Sequence, residues 1–212
     1  MSKPRFKRSH LALIGLQRCR EVVQFYLRDF SAPYPTFVKR KTLISNAIPD
    51  ANWIETGTYM GSTSKFLAKR YPKVTTIEPS DFFFQFAESR LDKCINVEIL
   101  FGQSEIHFES ALSRETEHVN IWLDGHFSDG GTFQGENVSP IIHELEVIAR
   151  YKSKFKSIIV FVDDVRLFKR SESHVTEYPP FVFLLEWAQN NGFTWEIQND
   201  IYIAKFTDKI SY

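Results

Sequence analysis

An α/β fold built on a doubly wound, mostly parallel sheet is what this sequence predicts, and three observations predict it. From Ala51 onward, short apolar runs alternate with longer amphipathic segments, the pattern of strands covered on both faces by crossover helices. Acidic residues, Glu55, Glu78, Asp124 and Asp163, close several of those runs, at the carboxyl edge where open parallel sheets form their ligand crevices. The last two apolar runs are separated by just Gln198-Asn199-Asp200, which predicts a closing antiparallel hairpin.

Each element follows in order. Residues 1–50 read as a helical lead-in packed on the same domain: Val22, Val23, Phe25, Tyr26 and Leu27 crowd one face of a helix over Gln17–Phe30, Pro33 and Pro35 end it, and a second helix covers Thr36–Asn46. Residues 51–212 form the main domain. Its parallel strands are Trp53–Glu55, Val74–Glu78, Val97–Phe101, Val119–Leu123 and Ser157–Val162. The helices between them are Ser62–Arg70, Asp81–Asp92, Ser104–Leu112 and Pro140–Tyr151, each long enough for a right-handed crossover. After Pro179 and Pro180 a helix runs to about Asn190 and is stopped by Gly192, and the hairpin strands are Phe193–Ile197 and Ile201–Phe206. Phe127–Glu136, with Gly130, Gly131 and Gly135, has no periodicity and reads as a substrate loop.

Composition narrows the partners. The chain has 212 residues, 43% of them hydrophobic, enough for one domain with a real core. Lys+Arg and Asp+Glu are equal at 26 each, so no overall field draws the protein to nucleic acid or an anionic membrane, and a small-molecule partner is expected. Cys19 and Cys94 show neither metal nor disulfide spacing, which fits a reducing compartment. The apolar run Leu11–Leu16 is too short to span a bilayer. The expectation is a cytoplasmic protein, with homo-oligomerisation left open.

Chemistry-bearing residues cluster at the strand ends. Glu55-Thr-Gly57-Thr-Tyr-Met-Gly61-Ser62-Thr63 follows the first strand and opens a helix. Gly57 permits a sharp turn and a close backbone approach, Gly61 and Ser62 present helix-terminal N–H groups, and Glu55 can accept from an amine. Glu78 ends the second strand at the distance where a carboxylate receives both ribose hydroxyls in nucleotide-binding sheets. Gln103 and Ser104, after the third strand, are placed to flank a base.

Asp124-Gly125-His126 ends the fourth strand and Asp163-Asp164 the fifth. If these strands are neighbours, three carboxylates and an imidazole meet, a costly arrangement without a cation. Hard oxygen ligands suit Mg²⁺, Mn²⁺ or Ca²⁺, which makes Asp124, Asp163 and Asp164 candidate metal ligands. The competing account is that one aspartate of the pair caps a helix or bonds to Arg166. His126 is the candidate general base, since imidazole titrates near neutral pH.

These segments resemble the class I S-adenosylmethionine-dependent methyltransferases, and within them the metal-dependent group typified by macrocin O-methyltransferase. The resemblance covers about Ala51 to Phe168 and rests on Glu55-Thr-Gly57 with Gly61-Ser62-Thr63, on Glu78, on Trp122-Leu123-Asp124-Gly125-His126, and on Val162-Asp163-Asp164-Val165-Arg166. The loop carries two glycines where many methyltransferases have G-x-G-x-G. The resemblance implies a Rossmann-like methyltransferase sheet with its C-terminal antiparallel hairpin, and S-adenosylmethionine held by Glu55, Gly57, Gly61, Ser62, Glu78, Gln103 and Ser104. It further implies Mg²⁺ on Asp124, Asp163 and Asp164, and deprotonation by His126 of a hydroxyl on a small-molecule or glycan acceptor. A metal-dependent nucleotide-sugar glycosyltransferase, supported by Arg166, Lys169 and Arg170, and a non-catalytic nucleoside-binding module are the competing expectations.

Overall fold

The computed structural model describes residues 8–124, 140–168 and 178–208. Helices α1 (Arg8–Leu27) and α2 (Thr36–Asn46) precede an alternation of β1 (Asn52–Thr56), α3 (Ser62–Ala68), β2 (Val74–Glu78), α4 (Asp81–Leu91), β3 (Val97–Phe101), α5 (Ser104–Ser113), β4 (Glu117–Leu123), α6 (Ile141–Tyr151) and β5 (Phe155–Val162). Helix α7 (Phe181–Asn191) and the hairpin β6 (Thr194–Gln198) and β7 (Ile201–Thr207) complete the chain's described part.

The strands form a seven-stranded sheet in the order β3-β2-β1-β4-β5-β7-β6. β1 to β5 are parallel, whereas β7 lies antiparallel between β5 and β6. This is the predicted architecture, hairpin included. The order reverses between β1 and β4, and that switch point opens a crevice beyond the strands' carboxyl ends.

Alternation along the strands builds two cores. Ile54, Ile121, Val160 and Tyr202 point to the face covered by α5, α6 and α7, where Phe108, Leu145, Leu184 and Trp187 pack. Their chain neighbours Trp53, Trp122, Phe161, Ile201 and Ile203 point the other way, to Leu43 of α2 and Leu67 of α3. Both faces are therefore apolar, which is why the strands read as near-continuous hydrophobic runs. Buried polar groups are tied in: the Trp187 indole donates to Leu145 O at 2.9 Å, and the Tyr202 hydroxyl to Leu184 O at 2.8 Å. Asn120, fully buried, receives the Ile48 N–H at 2.8 Å and donates back to Ile48 O at 3.0 Å, fastening the segment after α2 to the central strand.

Some boundaries differ from expectation for local reasons. α1 stops at Leu27, ahead of the prolines, because Asp29 and Phe30 adopt left-handed conformations. β4 and β5 begin at Glu117 and Phe155, upstream of their apolar runs, because those two residues already pair. No helix among the described residues is long and apolar enough to cross a membrane.

Candidate active site

Because β1, β2, β3, β4 and β5 run in parallel, their last residues share one edge, and backbone bonds extend the ladders past the strand ends. Gly57 N–H donates to Ile77 O at 3.0 Å, Gly102 N–H to Glu78 O at 3.0 Å, Asp124 N–H to Thr56 O at 3.2 Å, and Asp163 N–H to Leu123 O at 3.1 Å. The residues singled out in the sequence are thus brought into one row by the register itself.

The turn after β1 is built on left-handed residues: Gly57 at φ 81°, Tyr59 at 49° and Gly61 at 65°. At Gly61 a Cβ would lie 2.9 Å from Leu91 Cδ1, so glycine also permits the close packing of this turn on α4. An open cleft of about 640 Å³, counting the part continuous with solvent, is lined by Glu55, Gly57, Thr58, Tyr59, Met60, Ser62, Thr63 and Asp124, with Arg90 from α4 and Glu21 and Thr36 from the helical lead-in.

Glu55 is 1% exposed, and its Oε2 accepts from the Ser64 hydroxyl at 2.5 Å and from the Thr76 hydroxyl at 2.8 Å. Burial pushes its carboxyl up to about 7, against the pull of those two hydroxyls. The expected amine acceptor therefore lies beneath the turn as well as on the cleft wall. Glu78 accepts the Tyr59 N–H at 2.6 Å and the Ser80 N–H at 2.9 Å, one on each oxygen. Burial holds it above the ordinary carboxylate range in spite of both N–H donors. Each oxygen has further lone-pair capacity for a ribose hydroxyl.

Not every expected residue lines the cleft. Ser62 does, but its hydroxyl and carbonyl both receive Arg40 Nη2, at 2.7 and 2.5 Å. Gln103 and Ser104 stand at the start of α5, and neither they nor Gly61 and Glu78 are among the residues that line it. Glu144, in the first turn of α6, is 1% exposed, and burial lifts it to about 7. Gly125, His126, the loop Phe127–Glu136, Lys169 and Arg170 lie outside the described residues.

β4 and β5 are neighbours, as the carboxylate reading required. Between their ends stands a residue that the sequence reading missed: Lys39 of α2, whose Nζ donates to Asp163 Oδ2 and to Asp164 Oδ1, each at 2.6 Å. Asp164 Oδ1 also receives Arg166 Nη1 at 2.7 Å, and Asp163 Oδ1 receives the Asp164 N–H at 2.8 Å. Arg166 is held in turn by Asp200, which accepts its backbone N–H at 2.9 Å and pairs with its guanidinium.

Burial would lower the Lys39 ammonium, but Asp163, Asp164 and Asp124 keep it above the ordinary lysine range. Burial would raise Asp164, but Lys39 and Arg166 hold it well below the usual carboxylate range. Asp124 is lifted well above that range by burial and by Asp163, against the pull of Lys39. Among the described residues, no group of three or more His, Cys, Asp or Glu side chains is arranged to hold a metal ion. Both oxygens of Asp163 and Oδ1 of Asp164, three of the oxygens expected to ligate Mg²⁺, are taken by an ammonium, a guanidinium and a backbone N–H, so the metal expectation does not fit this arrangement. The Arg166 pairing weighed as its alternative is present.

No family's sequence model matches the chain, and neither does any curated protein sequence. Solved structures do. The methyltransferase domain of a bacterial Hen1 protein aligns with a TM-score of 0.52 at 16% identity, over 81% of this chain and 98% of that one. A putative methyltransferase from Streptococcus mutans in complex with SAH aligns at 0.48 and 11%, over 82% and 98%. A SAM-dependent methyltransferase from Aquifex aeolicus aligns at 0.47 and 12%, over 79% and 88%. The first of these establishes the fold: this chain has a Rossmann-like sheet of the kind found in that methyltransferase domain.

Proposed function

We propose that the chain is an S-adenosylmethionine-dependent methyltransferase acting on a hydroxyl of a small molecule or glycan. One observation carries this reading. Gly57, Thr58, Tyr59 and Met60 of the left-handed turn line one cleft together with Glu55, and the Tyr59 N–H ties that turn to the buried carboxylate of Glu78. A nucleoside laid across that turn meets backbone at Gly57 and a ribose acceptor at Glu78, while its amino-acid end reaches the Glu55 wall.

When bound, the cofactor supplies a methyl group activated on a sulfonium. The protein's part is to align an acceptor oxygen with it and to take the acceptor's proton. Asp124 is on the cleft wall, where the acceptor would approach. His126, two residues later, is assigned as the base that receives the proton as the oxygen–methyl bond forms and the sulfur–methyl bond breaks. No step of this reading is routed through a metal.

The test is transfer of labelled methyl from S-adenosylmethionine to a panel of hydroxylated metabolites and glycosides, with the rate followed against pH. Turnover that loses its neutral-range ionisation in His126→Ala supports the assignment. Binding of S-adenosylhomocysteine without transfer to any acceptor would favour the nucleoside-binding module, and binding of a UDP-sugar in its place would favour the glycosyltransferase.

A further inference from the structure

We propose that Lys39 is the resident cation of this site: its ammonium, carried in on α2, holds the carboxylates at the ends of β4 and β5 in the place a divalent metal would take, and the protein works without a metal. The inference deepens the methyltransferase reading, and its test reads cation binding and cofactor binding separately.

Geometry makes the two occupants exclusive. Mg²⁺ demands near-octahedral oxygen ligands at about 2.0–2.1 Å. The Lys39 Nζ stands 2.6 Å from an oxygen of Asp163 and 2.6 Å from one of Asp164, bridging the two carboxylates. A metal using both would have to expel the ammonium. The pair is sheltered, with side-chain exposures of 17% for Lys39 and 4% for Asp163, so expulsion would break two charge-assisted bonds where water compensates poorly. The second oxygen of Asp163, Oδ1, is held by the Asp164 N–H, and Arg166 shares Asp164 Oδ1 with Lys39. A lysine fixed to the same chain also competes as an intramolecular ligand, whereas a metal must be drawn from solution.

The same contact positions the lead-in. Thr36 lines the cleft three residues before Lys39, on the same side of α2. Glu21 Oε2 fixes that end of the helix by accepting the Thr36 N–H at 3.1 Å and its hydroxyl at 2.9 Å. Lys39 thus serves as a positioning residue that ties the α2 wall of the cleft to β5, a task a diffusible ion could not perform.

The experiment is a Mn²⁺ titration followed by electron paramagnetic resonance on the full chain, its Lys39→Met and Lys39→Arg variants, with S-adenosylhomocysteine calorimetry on each in EDTA. The parent and Lys39→Arg should show no Mn²⁺ site at millimolar metal. Lys39→Met should open one, with affinity raised at least about ten-fold because uncompensated carboxylates bind hard cations. Cofactor affinity of the parent should be the same with and without EDTA. Stoichiometric Mn²⁺ binding by the parent that Asp163→Asn abolishes would overturn the proposal, as would a folded Lys39→Met that binds no Mn²⁺. Should Lys39→Met fail to fold, the parent titration still decides. Absence of S-adenosylhomocysteine binding to the parent would sink the methyltransferase reading and leave the cation result standing.

Discussion

The Lys39 ammonium meets the Asp163 carboxylate at 2.6 Å across 124 positions of sequence, joining the helical lead-in to the carboxyl edge of the sheet. Asp163→Ala removes one of the two carboxylates bonded to the ammonium and leaves Asp164 on it, so it is expected to lower unfolding stability by about 1–3 kcal/mol, read by urea denaturation. A loss under about 0.5 kcal/mol, the range of ordinary surface substitutions, would mean that the contact does not order α2.

Two buried acids set a pH dependence. Glu55 and Glu144 are each 1% exposed and each raised by burial from 4.5 to about 7. A raised folded-state value means that the folded protein holds these protons more tightly than the unfolded chain. Their contribution is full below about pH 4.5 and is lost as the pH climbs through about 7. Stability should fall on going from pH 5 to pH 8, by on the order of 1–3 kcal/mol per group. Glu55→Gln and Glu144→Gln should each flatten the curve, and a denaturation midpoint that rises over this interval would contradict the assignment.

Gly61 is favoured chiefly by its φ of 65°, and an added Cβ would also meet the end of the Leu91 side chain, Cδ1, at 2.9 Å. Gly61→Ala should cost about 2 kcal/mol of stability and weaken S-adenosylhomocysteine binding as the turn shifts. Chemical denaturation and calorimetry read the two effects, and an unperturbed turn with full affinity would show that the close packing on α4 is dispensable.

The sheet was legible in the sequence because Trp53 and Ile54, or Trp122 and Ile121, are buried on opposite faces, which turns each strand into a continuous apolar run. The site row was legible because parallel strands end on one edge, so Glu55, Glu78, Asp124 and Asp163 converge by topology alone. Lys39 was not. Nothing in the periodicity of α2 separates it from Lys41, which is exposed, and only tertiary packing decides which of the two turns inward. The occupants of the carboxylates were hidden for the same reason: a cluster of acids demands positive charge, but the demand is met equally by a metal or by a distant lysine.

Central to the proposed function is a ribose received by Glu78, which the Tyr59 N–H joins to the cleft-lining turn. Calorimetric titration of S-adenosylhomocysteine into the parent protein and into Glu78→Ala, with folding of both verified by circular dichroism, tests this directly. Loss of the carboxylate leaves ribose hydroxyls unpaired at a cost on the order of 1–3 kcal/mol, so affinity should fall roughly five-fold or more, with partial recovery in Glu78→Gln. Equal affinity in the folded Glu78→Ala variant, or no binding to the parent at all, would contradict it.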